Sequence, residues 1–392
     1  MAWGVYKVEQ QRLEAMLAYS SGIFSMTDVC KKYNISRKTA YKWYKRYLEQ
    51  GEEGLKDLSR APLVPNTLFT EDQIERAINL KLQHKKWGPK KVLSILKEEY
   101  PEEDWPSNTR LYEIFKDHHL VTPKRIRGRV PATAPLGHVI DCNDTWSIDL
   151  KGWFLTGNGY KCEPLTIMDC HSRYLIECIH LDRHTTQDIW PVFERAFFKY
   201  GLPLKIRSDN GPPFATIGAG RLSRLSVNLI KAGVTPEWIR PGHPEENGRL
   251  ERMHLTLKQE VAMPPQETIS LQINALSKFH YVYNFKRPHE ALGMKTPGSC
   301  YQYSPREWGG ILRTPEYDTK EMMIRKAGTN GCIWLNQVPY YIGEALVGEF
   351  IGLKLIEEDV FDLYFGPIYL GKLDKKGFEK PKLKTKRRGR QR

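Results

Sequence analysis

Three acidic residues, Asp149, Asp209 and Glu251, have the sequence contexts expected of ligands for a divalent metal ion. Asp149 lies inside a β-rich run, Asp209 ends a short β-rich run, and Glu251 lies in a helical pattern. Carboxylates at strand ends point into the crevice where open sheets bind ligands. Hard ions such as Mg²⁺ take oxygen ligands and leave positions for water and phosphate, so carboxylates on rigid elements suit phosphoryl transfer.

The segment that carries Glu251 separates a polar helix face from an apolar one. The polar face consists of Asn247, Glu251, His254 and Lys258. The apolar face consists of Leu250, Met253, Leu257 and Val261. One helix can therefore present a metal ligand, Glu251, beside two expected DNA contacts, Asn247 and the phosphate-binding Lys258.

Each acidic residue also has a simpler interpretation. Asp-Asn-Gly is a common turn, a strand aspartate can lie on the surface, and residues 251–258 can form a solvated stripe. Glu245 and Glu246 compete with Glu251 but precede the helix in a proline-containing turn. The order of all three acids along a strand, strand and helix favours the catalytic interpretation, with Glu251 as the third acid.

Residues 1–55 have the spacing of a helix-turn-helix DNA-binding domain, with helices predicted at 9–19, 26–32 and 37–50. In the third helix Ala40, Tyr44 and Tyr47 are expected to pack inward. The expected DNA-binding face consists of Arg37, Lys38, Tyr41, Lys42 and Lys45. The alternative is a three-helix bundle with a solvated basic face, but the combined pattern favours DNA binding.

Residues 70–120 are similar to a second helix-turn-helix domain, with helices predicted at 71–85, 90–99 and 109–118. Acidic residues at 98–104 make its DNA role less secure. A basic linker, 121–138, follows, and its four predicted DNA contacts are Lys124, Arg125, Arg127 and Arg129. Such a segment can track a phosphate backbone or serve as a plain connector.

From residue 139 to 300 the pattern predicts three consecutive antiparallel strands followed by alternating helices and strands. The predicted strands are 145–155, 162–169, 174–181, 204–208 and 235–240. The predicted helices are 186–200, 220–232, 248–261 and 270–285. This order predicts an α/β core with a mixed five-stranded sheet covered on both faces. Short β-rich runs over 320–371 then predict a small β-barrel of about five strands.

The formal net charge of +14 and the sequence pI near 9.3 favour a polyanionic partner. Much of the excess lies in residues 372–392, which hold eleven Lys or Arg residues and two acidic ones, and which are expected to form a basic disordered tail. The chain shows neither a long uncharged apolar run nor the apolar block of a secretory signal. We therefore expect a soluble intracellular protein.

Taken together, these motifs resemble the DDE transposase and retroviral integrase superfamily, which has an RNase H-like fold. The resemblance is greatest to bacterial insertion-sequence transposases with an integrase-type core, and it spans about residues 140–297. It is carried by Trp146-Ser-Ile-Asp149, Ser208-Asp209-Asn-Gly211, Asn247-Gly248 through Glu251-Arg252 to Lys258, Asn284-Phe-Lys-Arg-Pro-His289-Glu-Ala-Leu292 and Thr296-Pro297. The histidine- and cysteine-containing zinc domain of retroviral integrases has no counterpart in this sequence.

The resemblance implies that Asp149, Asp209 and Glu251 hold two Mg²⁺ or Mn²⁺ ions about 4 Å apart. It implies cleavage at the ends of an insertion element to expose 3′-hydroxyls, which are then joined to target DNA. It also implies a homo-oligomer that pairs two DNA ends in a bacterial cytoplasm, associated with the nucleoid. Two alternatives remain open: a non-catalytic DNA-binding regulator derived from a transposase, and an RNase H-like nuclease that cuts without joining.

Overall fold

The computed structural model describes residues 8–58, 69–122 and 139–381, and its contacts divide the chain into two compact units. The first unit precedes residue 69, and the second begins at Phe69. The predicted DNA contacts Lys124, Arg125, Arg127 and Arg129 lie outside the described residues, as does the tail from residue 382. No helix in the described ranges is long and apolar enough to cross a membrane.

The first unit contains three helices, α1 (Val8–Ser20), α2 (Met26–Tyr33) and α3 (Arg37–Gln50), followed by a 3₁₀ turn over Gly51–Leu55. Ser25 and Asp28 form a reciprocal capping box at the start of α2, which explains the abrupt entry into that helix. The predicted helix bounds are therefore close to those observed.

The buried aromatic residue of α3 differs from the prediction. Trp43 is buried among Ala15, Met16 and Val29, and the Arg12 guanidinium stacks on its ring with 3.8 Å between Cζ and the ring centroid. The two tyrosines predicted to pack inward are only partly buried. All three aromatic positions are compatible with the helical period, so spacing alone does not show which ring fills the core.

The second unit begins with α4 (Glu71–Gln83), α5 (Pro89–Glu99) and α6 (Asn108–Asp117). Thr70 and Ser107 cap α4 and α6, and Pro89 occupies the first turn of α5. These helices surround a core that includes Trp87 and Phe115, against which Val282 of the following region also packs. The helices thus belong to the same compact unit as the central sheet, whereas the sequence predicted a separate domain over 70–120.

The central sheet has the strand order β5-β4-β1-β6-β7 and is mixed, as predicted. Its strands are β1 (Thr145–Leu150), β4 (Pro164–Asp169), β5 (Leu175–His180), β6 (Lys205–Ser208) and β7 (Thr235–Trp238). β5, β4 and β1 are antiparallel, whereas β1, β6 and β7 are parallel. The parallel arrangement places the carboxyl ends of β1 and β6 at the same edge of the sheet.

The first predicted strand is interrupted. Its continuation forms a separate hairpin of β2 (Phe154–Leu155) and β3 (Lys161–Cys162), which the sequence predicted as parts of longer strands. Gly152, at φ +79°, adopts the left-handed conformation that ends β1 before the hairpin.

Helices cover both faces of the sheet. They are α7 (Thr186–Tyr200), α8 (Arg224–Lys231), α9 (Gly248–Leu257), α10 (Ile269–Phe285) and the short α11 (Pro297–Cys300). Ile148 and Ile167 pack with Phe193 and Phe197 of α7 on one face. On the other face, strand and hairpin residues pack against Leu250, Met253 and Leu257 of α9 and Phe279 of α10. Because side chains alternate along β1, Asp149 projects toward α9.

The C-terminal region forms a five-stranded antiparallel sheet, of order β14-β13-β12-β11-β8, and a separate hairpin of β9 and β10. The strands are β8 (Met322–Lys326), β9 (Cys332–Leu335), β10 (Val338–Tyr341), β11 (Phe350–Glu357), β12 (Val360–Phe365), β13 (Ile368–Asp374) and β14 (Gly377–Glu379). Within the described residues no pairing between β8 and β14 closes this sheet, so the predicted small barrel is not confirmed.

The predicted disordered tail begins too early, because residues 372–374 continue β13 and residues 377–379 form β14. Leu373 is buried in the C-terminal core, and its backbone pairs with Phe378. The segment that forms this hairpin is rich in lysine and has few apolar residues, so its sequence pattern did not predict strands.

The C-terminal sheet shares a core with α8 and the segment before it. Val227 and Ile230 of α8 pack in the same cluster as Ile351 and Phe365 of the C-terminal sheet. The buried Glu349 also accepts from Lys231 Nζ over 3.0 Å. The sheet therefore braces the segment that follows Asp209.

Candidate active site

Asp149 is fixed by its position in β1, which pairs with β4 so that Asp149 lies opposite Thr166. The neighbouring Ile148 is fully buried on the opposite face, whereas the Asp149 side chain is 26 % exposed. The strand therefore presents one partly buried carboxylate on the side covered by α9.

Asp209 directly follows β6, the parallel neighbour of β1. Its Oδ1 accepts a hydrogen bond from Gly211 N over 3.1 Å, and Asn210 Nδ2 donates to Ile239 O over 2.8 Å. These bonds tie the turn to the end of β7. Asp149 and Asp209 consequently lie near the carboxyl ends of adjacent parallel strands.

Glu251 lies in the first turn of α9 and is exposed. The competing Glu246 is buried and accepts from Arg240 N over 2.7 Å, in addition to an ion pair with the Arg240 guanidinium. Glu245 Oε1 lies 2.8 Å from His243 Nδ1. The alternative carboxylates thus have local roles in the turn before α9.

The charges of the other two acids act on Asp149. Burial has the largest effect and, together with the negative charge of Asp209 and then that of Glu251, raises the pKa of Asp149 to about 7. The structure therefore brings Asp209 and Glu251 within electrostatic reach of Asp149.

The described residues contain no preformed cluster of three acidic, histidine or cysteine side chains enclosing one ion. Asp209 Oδ1 accepts one hydrogen bond, from Gly211 N, and the carboxylate retains further lone pairs for an ion. The three acids nevertheless fit Mg²⁺ or Mn²⁺, because they offer oxygen ligands and a cation offsets the repulsion that raises the Asp149 pKa.

His254 and Thr166 form a buried polar pair beside Asp149. His254 Nε2 lies 2.7 Å from Thr166 Oγ1, and the Thr166 hydroxyl donates to Asp149 O over 3.1 Å. Burial, together with the nearby charge of Lys151, lowers the pKa of His254 to about 3, so the ring is neutral. Sequence spacing had placed His254 on the Glu251 face, but it did not identify Thr166.

Lys258 is exposed at the start of the π-helical turn Lys258–Ala262, which directly follows α9. Its charge adds to burial in lowering the pKa of Lys151, which places two lysines beside the acids. Asn247, predicted to contact DNA, is instead only 5 % exposed, and its Oδ1 has no partner among the described residues. Its burial argues against a direct DNA contact.

In the first unit, the predicted DNA-binding face of α3 is open to solvent. Its exposed residues are Arg37, Lys38, Tyr41, Lys42 and Lys45. Arg37 Nη2 also donates to Thr27 Oγ1 over 2.7 Å, which ties α3 to α2. The exposed side chains of Lys38, Lys42 and Lys45 form a basic surface around Tyr41.

Family models match both halves of this organisation. Integrase core domain models match residues 142–244 and 232–297, which together include Asp149, Asp209 and Glu251. A helix-turn-helix domain model matches residues 11–62, and a homeodomain-like domain model matches residues 39–115. The chain is thus similar to helix-turn-helix domains in its N-terminal part and to integrase core domains in its central part.

Two curated relatives come from insertion elements. The IS476 uncharacterized 39.2 kDa protein of Xanthomonas euvesicatoria is 25 % identical over 67 % of this chain and 71 % of its own length. The IS407 uncharacterized 31.7 kDa protein of Burkholderia multivorans is 22 % identical over 57 % of this chain and 78 % of its own length.

Solved integrases show a weaker similarity. The HTLV-2 integrase catalytic core domain, in complex with magnesium, is 18 % identical with a TM-score of 0.34, over 42 % of this chain and all of that one. The simian T-cell lymphotropic virus intasome chain is 16 % identical with a TM-score of 0.37, over 75 % of this chain and 97 % of that one. These values are too low to transfer function.

Proposed function

We propose that this chain is the transposase of an insertion element. Integrase core domain models match it at residues 142–297, C-terminal to the helix-turn-helix match at 11–62. The observation that carries this proposal is the placement of three acids: Asp149 on β1, Asp209 directly after β6 and Glu251 on α9. The negative charges of Asp209 and Glu251 both act on Asp149. The insertion-element relatives support the same proposal. The proposed substrate is double-stranded DNA, both the element ends and the target.

In this proposal Asp149, Asp209 and Glu251 hold two Mg²⁺ or Mn²⁺ ions. Bound divalent ions activate a nucleophile and stabilise the leaving oxygen in phosphoryl transfer. The protein contributes the rigid placement of Asp149 and the positive charge of Lys151 and Lys258 beside it. These lysines attract phosphate and orient the DNA backbone relative to the acids.

The proposed reaction has two displacements at phosphorus. Water first breaks a phosphodiester bond at the element end and leaves a 3′-hydroxyl. The oxygen of that hydroxyl then forms a bond to a target phosphorus while the bond from this phosphorus to the target's own 3′-oxygen breaks. The number of phosphodiester bonds is conserved in the second displacement, so it needs no covalent protein intermediate and no external energy source.

The DNA-binding surfaces in the proposal are divided between the two units. The exposed basic face of α3 binds the element end, while Lys258 contacts the phosphate nearest the acids. In the proposal the basic linker at 121–138 also contacts the phosphate backbone. Two ends must be processed for one insertion, so we include a homo-oligomer in the proposal.

The proposal is tested with labelled duplexes taken from the DNA flanking the gene, purified full-length protein and Mg²⁺ or Mn²⁺. We expect Asp149→Asn, Asp209→Asn and Glu251→Gln to abolish cleavage at the element end while binding to that end survives. Glu245→Gln is the matched control, because Glu245 is a partly exposed acid of the same segment. Normal cleavage by any of the three variants removes that residue from the site.

A further inference from the structure

We propose that His254 is a nitrogen ligand of the same metal site and that Thr166 holds its ring in the ligating tautomer. This inference rests on the proposed function, because it adds a fourth side chain to the site of Asp149, Asp209 and Glu251. It predicts a mixed oxygen and nitrogen environment for an ion bound at Asp149.

The hydrogen bonds of Thr166 determine the tautomer of His254. The Thr166 hydroxyl has one proton, which it donates to Asp149 O over 3.1 Å. Thr166 Oγ1 therefore accepts from His254 Nε2, which lies 2.7 Å away and must carry the ring proton. A neutral imidazole with its proton on Nε2 has a free lone pair on Nδ1.

That lone pair lies beside the first acid. His254 Nδ1 is 3.8 Å from Asp149 Oδ2. Divalent ions bind oxygen and nitrogen ligands over about 2.1 Å, so two atoms that share an ion lie at most about 4.2 Å apart. The observed separation is within this limit, and it is too long for a direct hydrogen bond.

The surroundings of His254 match those of a metal-ligating histidine. Such a ring donates its other N–H to an oxygen, which fixes its orientation, and the fully buried Thr166 hydroxyl supplies that oxygen. Glu251 and His254 are three positions apart on α9, a spacing that places two side chains on neighbouring positions of one helix face. Glu-x-x-His pairs of this kind project ligands toward shared metal sites in helical carboxylate proteins.

The charges around the ring are compatible with a neutral ligand. Asp149 faces it from β1, and the positive charge of Lys151 reaches it from the end of the same strand. The His254 side chain is 10 % exposed, so water does not compete freely for Nδ1. Imidazole nitrogen favours Mn²⁺ and later transition ions relative to Mg²⁺, so His254 also sets metal preference.

The test uses Mn²⁺ as a paramagnetic probe in the full-length protein at neutral pH without DNA. Electron spin-echo measurements on bound Mn²⁺ detect directly coordinated imidazole nitrogen as a modulation that oxygen ligands do not give. We expect this modulation in the wild-type protein and its loss in His254→Leu. We also expect His254→Leu to weaken Mn²⁺ binding by about tenfold or more, and Mg²⁺ binding by less.

Two variants of Thr166 isolate the positioning effect. Thr166→Val keeps the shape of the side chain but removes the hydroxyl, and we expect it to weaken the nitrogen modulation and the Mn²⁺ affinity. Thr166→Ser retains the hydroxyl and should restore both. Circular dichroism without metal identifies any variant that fails to fold, and the wild-type spectrum decides the question without a variant.

The possible outcomes separate this inference from the function on which it rests. Bound Mn²⁺ without imidazole modulation in the wild-type protein overturns the His254 assignment and leaves the three acids in place. Modulation that persists in His254→Leu also overturns it. If the wild-type protein binds no Mn²⁺, or if binding is unaffected by Asp149→Asn, the proposed metal site itself fails.

Discussion

The Thr166 hydroxyl donates a hydrogen bond to the carbonyl oxygen of Asp149 over 3.1 Å, across the paired strands β4 and β1. Asp149 is therefore held by both strand pairing and a buried side chain, whereas Asp209 follows a strand end and Glu251 begins a helix. The backbone that carries Asp149 is thus fixed by contacts from β4.

Replacing Asp149 by Asn is expected to stabilise the metal-free protein at pH 8. The pKa of Asp149 is raised from 3.8 to about 7, so the folded protein holds this proton more tightly than the unfolded chain. The favourable contribution of the protonated acid is present below pH 3.8 and is lost as the pH rises through about 7. The variant avoids that loss, which is on the order of a few kcal/mol.

Thermal unfolding in the presence of a chelator measures this effect at pH 5 and pH 8. The Asp149→Asn variant should have a higher melting temperature than the wild type, and the difference should be larger at pH 8 than at pH 5. Asp169→Asn is the contrasting variant, because the Asp169 carboxylate accepts bonds from Asn143 N, Ser172 N and Ser172 Oγ. It should lose about 1–3 kcal/mol at both pH values. If the difference in melting temperature between Asp149→Asn and the wild type is no larger at pH 8 than at pH 5, the electrostatic account is contradicted.

Lys258→Ala is expected to weaken binding to element-end DNA more than it slows the chemical step. Lys258 is exposed directly after α9 and near Lys151, where it can neutralise a phosphate. Binding measured over a range of salt concentrations should show a slope smaller by about one unit. Lys205→Ala is the control, since Lys205 lies at the opposite end of β6 from Asp209. An unchanged affinity for Lys258→Ala refutes its role.

Lys42→Glu is expected to reduce end binding by the first unit, because Lys42 lies on the exposed basic face of α3. A charge reversal in a helix that contacts DNA adds repulsion from phosphate to the lost attraction, so we expect at least about a tenfold loss at moderate salt. Fluorescence anisotropy with a labelled end duplex measures it. Lys31→Glu makes the same charge change on α2 and should have a smaller effect; equal losses would point to non-specific electrostatics.

Phe365→Ala is expected to destabilise the second unit by about 3–5 kcal/mol, because Phe365 is fully buried in the core shared with α8. Phe350→Ala removes a ring from the same sheet, but that ring is 39 % exposed, so its cost should be much smaller. Chemical denaturation compares the two variants. If Phe365→Ala melts the C-terminal sheet alone and leaves the central sheet intact, the shared core does not couple them.

Helical and strand periodicity predicted much of this fold. The bounds of α3 and α7 match the predicted ranges, because the capping residues Ser36 and Thr185 mark where these helices begin. The mixed character of the five-stranded sheet could be predicted from the succession of strands and helices along the chain.

Other features depend on contacts that periodicity does not specify. In the core of the first unit, Trp43 is the buried aromatic residue of α3 because residues of α1 and α2 and the Arg12 guanidinium pack against its ring. The burial of Asn247 depends on how the turn before α9 packs. Thr166 and His254 are 88 positions apart in the sequence, so no local spacing predicts their contact.

The central claim is that this chain joins DNA ends at a site built from Asp149, Asp209 and Glu251. The most direct measurement is a strand-transfer assay with an element-end duplex that already carries a free 3′-hydroxyl, a separate target DNA and Mg²⁺ or Mn²⁺, run beside Asp209→Asn. We predict joined products that require the metal ion and are absent with the variant. Joined products of equal yield with Asp209→Asn, or metal-dependent cutting without any joining, would contradict the account.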